Sequence, residues 1–431
     1  MDFTGKKLLV LCGNVIHIKV VEAAKEMGIY TIVTDSLPLQ EAPAKQIADE
    51  ALYLDVRDVD GIVEYCKNNK VDGVINFCND LAQRPQQQIC EKLGLPCYGT
   101  KEQYFQLTDK NAFKRMCKEN NVDVIPEYTE AEIENDTVEY PVLVKPVDSR
   151  GSRGQAICYT KEELHTALSV AKNESSNGQA IIEKYMQGKQ DFSMSYIFSE
   201  GRAYLTRTGD RFLGKKQDNL NKQCIGSVSP SRNTDFYLEK VNKRVVKMLQ
   251  KIGIKNGPIF MQGFIDGDTV RFYDPGIRFP GTEYEKLLFK ATGIDLMKSC
   301  IAFTLGGKIV VEKEIWEKAW WLGGKISIQL LITARAGVIG TFDGIDEIAS
   351  HADVVTVAQR YFVGEEVPPT GDVKQRICEI ALLTDKDKAK ALVKWIQKKL
   401  IVLDERGENM LVSQFNPEIL SGGGYFECPR Q

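Results

Sequence analysis

The run YPVLVKPVDSRGSRGQAICYT, residues 140–160, decides how this chain is read. An apolar, strand-like stretch ends at Lys145 and Pro146. A polar loop holding Ser149, Gly151, Ser152 and Gly154 follows, and a second strand-like stretch, AICYT, begins directly after it. Strand, glycine loop and strand predict a hairpin. Glycines expose backbone N–H groups, serines add hydroxyl donors, and Lys145, Arg150 and Arg153 supply positive charge, so the loop suits a phosphate ligand. A solvated hairpin tip would carry the same residues. A Walker loop is excluded, because its lysine follows the glycines at the start of a helix, whereas Lys145 precedes them on a strand.

Toward the N-terminus, TDKNAFKRMCKENNV (108–122) reads as a helix capped by Thr108 or Asp109. Before it, strand-like runs at 7–12, 30–34 and 73–77 alternate with helical patterning such as that at 20–27, the signature of a parallel α/β unit. Gly13 after the first strand and Asp35 at the end of the second invite a dinucleotide reading. The residues after Gly13 are Asn14, Val15, Ile16, His17 and Ile18, however, so the further glycines that let a pyrophosphate approach a helix N-terminus are missing. Toward the C-terminus, AIIEKYM (180–186) with FSMSYIF (192–198), and PIFMQGFI (258–265) with TVRFYDP (269–275), read as two strand pairs. They flank a long polar segment and a helix at 238–252. Beyond residue 300, SIQLLITA, ADVVTVA, a helix near 386–399 and ENMLVS form a smaller α+β part.

The 431 residues carry 56 Lys and Arg against 59 Asp and Glu, a net charge of −3, so nucleic-acid binding by bulk charge is not expected. Eleven cysteines without a C-x-x-C pair predict neither a disulfide framework nor a zinc ribbon and fit a reducing, cytoplasmic setting. His17, His165 and His351 are too scattered for a histidine-ligated metal and read as structural. No apolar stretch reaches the roughly 18 to 20 residues of a membrane span. The start, MDFTGKK, lacks the apolar core of a signal peptide, so neither secretion nor a membrane partner is expected.

On these residues, YPVLVKPVDSRGSRG above all, the chain resembles the ATP-grasp superfamily, in which a glycine-rich hairpin folds over ATP held between two α+β subdomains. Over nearly its whole length it is similar to biotin carboxylase, the purine-pathway carboxylases and carbamoyl phosphate synthetase. The resemblance implies an α/β and α+β fold in three parts: a parallel α/β domain at 1–105, an ATP-grasp domain at 106–300 with its lid hairpin subdomain at about 112–187, and a small C-terminal closing domain at 301–431. It implies ATP and Mg²⁺ (or Mn²⁺) as cofactors. Lys110, in TDKNAF, and Lys145, in VLVKP, match the two cations that hold the ATP phosphates, with Ser149, Gly151, Ser152 and Gly154 as the lid loop. Glu183, Lys184, Tyr185 and Met186 match the hinge whose backbone and acid meet the adenine, and Asp191 matches the acid that takes ribose hydroxyls.

The family's metal motif places one Glu on a strand and E-x-N-x-R about a dozen residues later. Here Gln262 falls at the first acid, Asp274 at the second, Gly276 at the Asn and Arg278 at the Arg. Asp274 is then the anionic metal ligand, and Gln262 offers a neutral amide oxygen; one carboxylate can serve Mg²⁺ when phosphates and waters complete its shell. Asp266 and Asp268, in the DGD turn, either help to hold the metal or only shape the turn. Arg278 matches the arginine that steadies the acyl phosphate, and an ion pair with Asp274 or Glu283 is the structural alternative. Arg207, Arg211 and Lys215, in LTRTGDRFLGKK, fall where relatives bind substrate, although a charged surface loop explains them equally well. Trp320 and Trp321 are expected to pack.

The function so implied is an ATP-dependent ligase that activates a carboxylate as an acyl phosphate for attack by an amine, releasing ADP and phosphate. Its partners would be a small carboxylate and a small amine, and a homodimer is one expected assembly. The alternative is a catalytically weakened ATP- or ADP-binding sensor or assembly protein of the same fold, motivated by Gln262 and Gly276. A carboxylase or kinase branch of the fold is a third reading.

Overall fold

The first sheet is built from β1 (Lys7–Leu11), β2 (Tyr30–Thr34), β3 (Glu50–Leu52) and β4 (Gly73–Ile75), joined through α1 (Ile18–Glu26), α2 (Pro43–Ile47) and α3 (Val59–Asn69). Its order is β3-β2-β1-β4, and β1 pairs in parallel with both β2 and β4. Leu8 and Val10 join one apolar cluster while Leu9 and Leu11 join another, as a strand covered on both faces requires. Strand order reverses between β1 and β4, which opens a crevice at their carboxyl ends. At the first βα turn, the Gly13 N–H donates to Asp35 Oδ2 at 2.9 Å, and a Cβ at Gly13 would lie 2.9 Å from that of Ala42. Asp35 is spent on the turn. His17 is fully buried with Nδ1 2.8 Å from Asn14 Oδ1, and burial lowers its pKa to about 4, which leaves it neutral.

The computed structural model describes residues 2–147, 154–175, 177–214 and 223–421. Ser149, Gly151 and Ser152 of the expected lid loop, and Lys215, lie outside them. All ten described cysteines are unpaired, and no helix among the described residues is long and apolar enough to cross a membrane.

After α4 (Gln83–Leu93) comes α5 (Lys101–Thr108), opened by a Thr100–Gln103 capping box; the Asp109 carboxylate then accepts from Ala112 N at 2.9 Å and starts α6 (Lys110–Glu119). Asp109 is therefore the cap, and Lys110 is held in the first turn of α6. The lid follows: α7 (Glu130–Glu134), β5 (Val142–Pro146), β6 (Ala156–Cys158), α8 (Lys161–Glu174) and β7 (Ala180–Lys184). Its sheet runs β6-β5-β7, with β5 and β6 forming the expected antiparallel hairpin. Ile133, Val142, Val144, Leu164 and Ile182 give the lid its own core, flanked by Tyr128. Phe113, Met116 and Cys117 of α6 belong to the central core.

The rest of the chain is dominated by one large antiparallel sheet. Its strands come from β8 (Asp191–Ser199), β9 (Arg202–Leu213), β10 (Cys224–Ser229), β11 (Gly257–Asp266), β12 (Thr269–Gly276), β13 (Ile326–Ala334), β15 (Val354–Gln359), β17 (Arg376–Thr384) and β19 (Leu411–Val412). β14 (Gly337–Asp343), β16 (Glu366–Val367) and β18 (Ile401–Asp404) make a small sheet beside it. The order is β12-β11-β8-β9-β10-β13-β17-β15, with β19 beside β13. This sheet runs through the boundary expected at 300. Two other readings are corrected. AIIEKYM does not pair with FSMSYIF, because β7 pairs with β5 in the lid whereas β8 pairs with β9 and β11, and the chain crosses between sheets in the turn that separates them. LTRTGDR is no surface loop either: it forms the interior of β9, with Arg207 buried and Arg211 half-buried.

The expected helix at 238–252 is divided at Val241 into α9 (Thr234–Lys240) and α10 (Asn242–Lys251), and α11 (Tyr284–Thr292) follows the large sheet's β12. Phe192, Met194 and Tyr196 of β8 pack beside Tyr237, Val245 and Met248 of these helices. Period-two alternation then leaves Asp191, Ser193 and Ser195 on the opposite, polar face. Trp320 and Trp321 meet edge to face at 5.9 Å in the central core.

Candidate functional site

A cleft of about 390 Å³ opens where the lid sheet meets the large sheet. Ile125 and Leu143 line it from the lid side and Phe264 from the large sheet, with Glu183, Lys184, Tyr185, Met186 and Asp191 along the connecting turn. The Lys184 and Tyr185 N–H groups donate to the Pro126 and Pro141 carbonyls, each at 2.9 Å. The hinge residues expected from the sequence are thus brought together with Asp191 in one apolar-walled slot.

The Glu183 carboxylate is placed differently from the expectation that it meets a base. It is 2% exposed and clamped between Lys145 Nζ and Lys114 Nζ, the latter at 2.6 Å, with Lys114 also paired to Glu127. Burial alone would raise its pKa, but the two ammonium groups outweigh burial and hold it below the ordinary value. Glu183→Gln should therefore cost about 3 kcal/mol in urea unfolding, since two cations lose a shared buried counter-ion. A depressed carboxyl pKa stabilises above the unfolded value, so the gap between wild type and variant should be full at neutral pH and close as pH falls below about 4.3. An unchanged unfolding midpoint at pH 7 would remove Glu183 as the anchor of these lysines.

Lys110 donates to the Val147 carbonyl at 3.3 Å. Its pKa is lowered, first by burial and then by the nearby Lys145, with Glu183 and Asp274 acting the other way. Two lysines 35 positions apart in the sequence are thus convergent. Gly154 has φ +66°, and a Cβ there would sit 2.9 Å from Pro146 Cγ.

Across the cleft, Arg211 Nη1 donates to Asp191 Oδ2 at 2.9 Å, and the Tyr273 hydroxyl lies 3.3 Å from Asp191 Oδ1. Burial raises the Asp191 pKa against the pull of Arg211. The register of β11 and β12 shifts between Gln262 and Gly263, and this bulge brings both Tyr273 and Asp274 to the polar face. With its amide oriented so that both ends find partners, Gln262 donates to Asp274 Oδ2 at 3.0 Å and accepts from Arg211 Nε at 3.2 Å. In that orientation the Gln262 oxygen faces Arg211 and its nitrogen faces Asp274. Burial raises the Asp274 pKa, partly countered by Arg278.

Arg278 lies beneath the site, 6% exposed, with Phe260 5.1 Å from its Cζ. Its Nε donates to Asp80 Oδ1 at 2.5 Å and its Nη2 to Asp80 Oδ2 at 3.3 Å, while Asp274 is 3.8 Å away. Asp80 follows β4 in the crevice of the first sheet. Of the two structural partners expected for Arg278, Asp274 is near, whereas Glu283 pairs with Lys19 at 3.4 Å. Gly276 is explained by Gln83, whose amide occupies the space a side chain would need. A Cβ at 276 would lie 3.0 Å from Gln83 Oε1, which accepts from Ile277 N at 2.9 Å while Gln83 Nε2 donates to Asp80 at 3.0 Å.

Sequence reading missed Asp80, Gln83, Lys114 and Tyr273. Only Lys114 carried a signal, because it lies four residues after Lys110 on one helix face. Asp266 is held by Lys189 at 2.8 Å and Arg271 at 2.6 Å, so it shapes the hairpin as expected. Among the described residues no three His, Cys, Asp or Glu side chains cluster as a ready-made metal site.

Residues 109–273 match the family model described as the ATP-binding domain of the carbamoyl-phosphate synthase L chain. Biotin carboxylase 1 of Bacillus subtilis is 23% identical over 337 residues, 73% of this chain and 74% of that protein. The crystal structure of phosphoribosylglycinamide synthetase from Anaerococcus prevotii superposes with a TM-score of 0.76 at 20% identity, covering 93% of this chain and 100% of that one. That of L-amino acid ligase from Bacillus licheniformis gives 0.75 at 17% identity, covering 93% and 99%.

Proposed function

The chain has the ATP-grasp fold, and we propose that it is an ATP-dependent ligase joining a carboxylate to an amine. The observation that carries this reading is the convergence of Lys110 with Lys145, whose partner Glu183 lines the base-sized slot, near enough to Asp274 for that carboxylate to act on Lys110. Two neighbouring cations are neutralised together by a polyanion. Adenine fits between Ile125, Leu143 and Phe264. The Met186 N–H is the one at positions 184–187 without a protein acceptor among the described residues and suits a ring nitrogen. Asp191, already oriented by Arg211 and Tyr273, keeps acceptor capacity for ribose hydroxyls.

A divalent cation fits as a nucleotide-borne ion held by Asp274, whose position Gln262 fixes, with phosphate oxygens completing the shell; bound there, it would neutralise charge on the phosphates. A substrate carboxylate oxygen attacks the γ-phosphorus, ADP leaves, and an acyl phosphate forms. Arg278, with its planar fork, holds the phosphate and the developing oxyanion. A neutral amine then attacks the carbonyl carbon, phosphate leaves with the bonding pair, and the amine nitrogen gives up a proton as the amide forms. Lysines, lid and slot act by position and electrostatics, and no covalent enzyme intermediate is needed. The sensor reading is not favoured, because Gln83 fills the place vacated at Gly276 and Gln262 is tied into the Asp274 network.

The test is calorimetry with ATP followed by phosphate release in Mg²⁺ with pooled carboxylates and amines. Absence of ATP binding, or of any substrate-dependent phosphate, would defeat the reading. Lys145→Met should weaken ATP by about 10- to 150-fold, the loss of one charge-assisted contact to a desolvated triphosphate. Lys110→Met should do the same, and wild-type affinity in either folded variant would strike that lysine from the phosphate site.

A further inference from the structure

We propose that Arg207 recognises a substrate carboxylate that the reaction does not consume, an assignment that rests on the ligase reading and names the class of molecule it takes. Arg207 is 2% exposed in the interior of β9. Its Nη1 donates to Ser193 Oγ at 2.8 Å and its Nη2 to Ser227 Oγ at 3.3 Å, and the Tyr284 ring centre lies 5.2 Å from its Cζ. Among the described residues its Nε has no partner, and neither do Ser195 Oγ and Gln329 Oε1 on nearby strands of the same sheet. Beside it, at Gly209, a Cβ would stand 2.7 Å from Nη2 and 2.8 Å from Ser229 Oγ, so a side chain is left out where the guanidinium lies.

No carboxylate among the described residues pairs with this guanidinium. Asp191 is held by Arg211, Asp210 accepts from Ser231 and Arg232, and Glu285 is bound to Lys19. A guanidinium cannot shed its charge, and burying a charge among neutral hydroxyls is costly unless a counter-ion completes it. Natural chains keep such costs where a ligand supplies the missing partner. One arginine balances one negative charge, and its planar fork matches a planar carboxylate. A phosphate dianion would leave surplus negative charge on a face that already carries Asp191 and Asp274.

The strand register supplies the direction. Asp274, Gln262, Ser193 and Gly209 lie opposite one another in turn across β12, β11, β8 and β9. The guanidinium over Gly209 is thus on the same polar row as the residue that would hold the metal. A small molecule reacting beside Asp274 and Arg278 presents its spare carboxylate toward Arg207. That carboxylate belongs either to a diacid or to an amine that is an amino acid.

The experiment uses the full chain, wild type, Arg207→Gln and Arg207→Lys, with Mg²⁺ and ATP. Phosphate release and melting temperature are read against succinate and glutarate as diacids, L-alanine and L-glutamate as amino acids, their amides, and inorganic phosphate. The wild type should prefer an acid over its amide by about 30-fold or more in KM or in the concentration that shifts melting. Arg207→Gln should reduce that preference to a few fold, and Arg207→Lys should recover part of it. The active arm, diacid or amino acid, identifies which substrate carries the group. Equal action of acid and amide on the wild type, an unchanged preference in Arg207→Gln, a response to inorganic phosphate alone, or no response to any carboxylate would each overturn the assignment. ATP titration of the wild type judges the ligase reading separately: a protein that fails to bind ATP yet shows the Arg207-dependent acid preference keeps the carboxylate site and loses the ligase.

Discussion

Arg278→Lys is expected to lower kcat by about 100-fold while leaving ATP affinity within a few fold of the wild type. The wild-type guanidinium spends Nε and Nη2 on Asp80 and Nη1 on the Phe279 carbonyl, at 3.0 Å, and still lies 3.8 Å from Asp274. A planar fork can do this because its donors point in several fixed directions. Lysine keeps the positive charge between the two aspartates, so the fold should survive. One ammonium cannot hold Asp80 and also brace an acyl phosphate as charge builds on its oxygens. Steady-state kinetics with whichever acid the pooled screen yields will decide the matter. An unchanged kcat, or a fall in ATP affinity as large as the fall in kcat, would take Arg278 out of the chemical step.

Asp274→Asn should reduce Mg²⁺-dependent phosphate release by at least about 100-fold, with a smaller loss for Gln262→Ala. The amide keeps the shape of Asp274 but not its charge, whereas Gln262 only donates to that carboxylate. Burial raises the Asp274 pKa above the ordinary aspartate value. The ionised form binds the metal, so activity should be full well above the raised pKa and fall as pH drops through it. Raising Mg²⁺ should move this acid limb downward, since metal and proton compete for one carboxylate. If Asp274→Asn retains metal-dependent turnover while Asp80→Asn abolishes it, the ion is held from the first sheet.

Local features of the sequence were enough for much of this. The helix after Asp109 could be read locally because a cap is satisfied within three residues of itself. The β5–β6 hairpin could be read from YPVLVKPV and AICYT because strand, glycines and strand are contiguous. LTRTGDR misled for a definite reason: it is polar at alternate and adjacent positions, which reads as surface. In the structure Arg207 and Arg211 face the site while Thr208 and Asp210 are buried on the other side against Ser231 and Thr234. A strand polar on both faces has no hydrophobic alternation to reveal it.

The sequence by itself determined the local elements, the ATP-grasp likeness carried by VLVKP and the glycine loop, and the residue types at the proposed phosphate, hinge and metal positions, since each is written in a window of some ten to fifteen residues. Only the tertiary structure decided what those residues touch. Glu183 turns from a base to Lys114 and Lys145, 69 and 38 residues away, Arg278 finds Asp80 across 198 residues, and Gln83 fills the space at Gly276. Such partnerships depend on which strands become neighbours, on one bulge between β11 and β12, and on how the first sheet's crevice meets the large sheet. No spacing along the chain encodes them, because side-chain electrostatics and packing act through space.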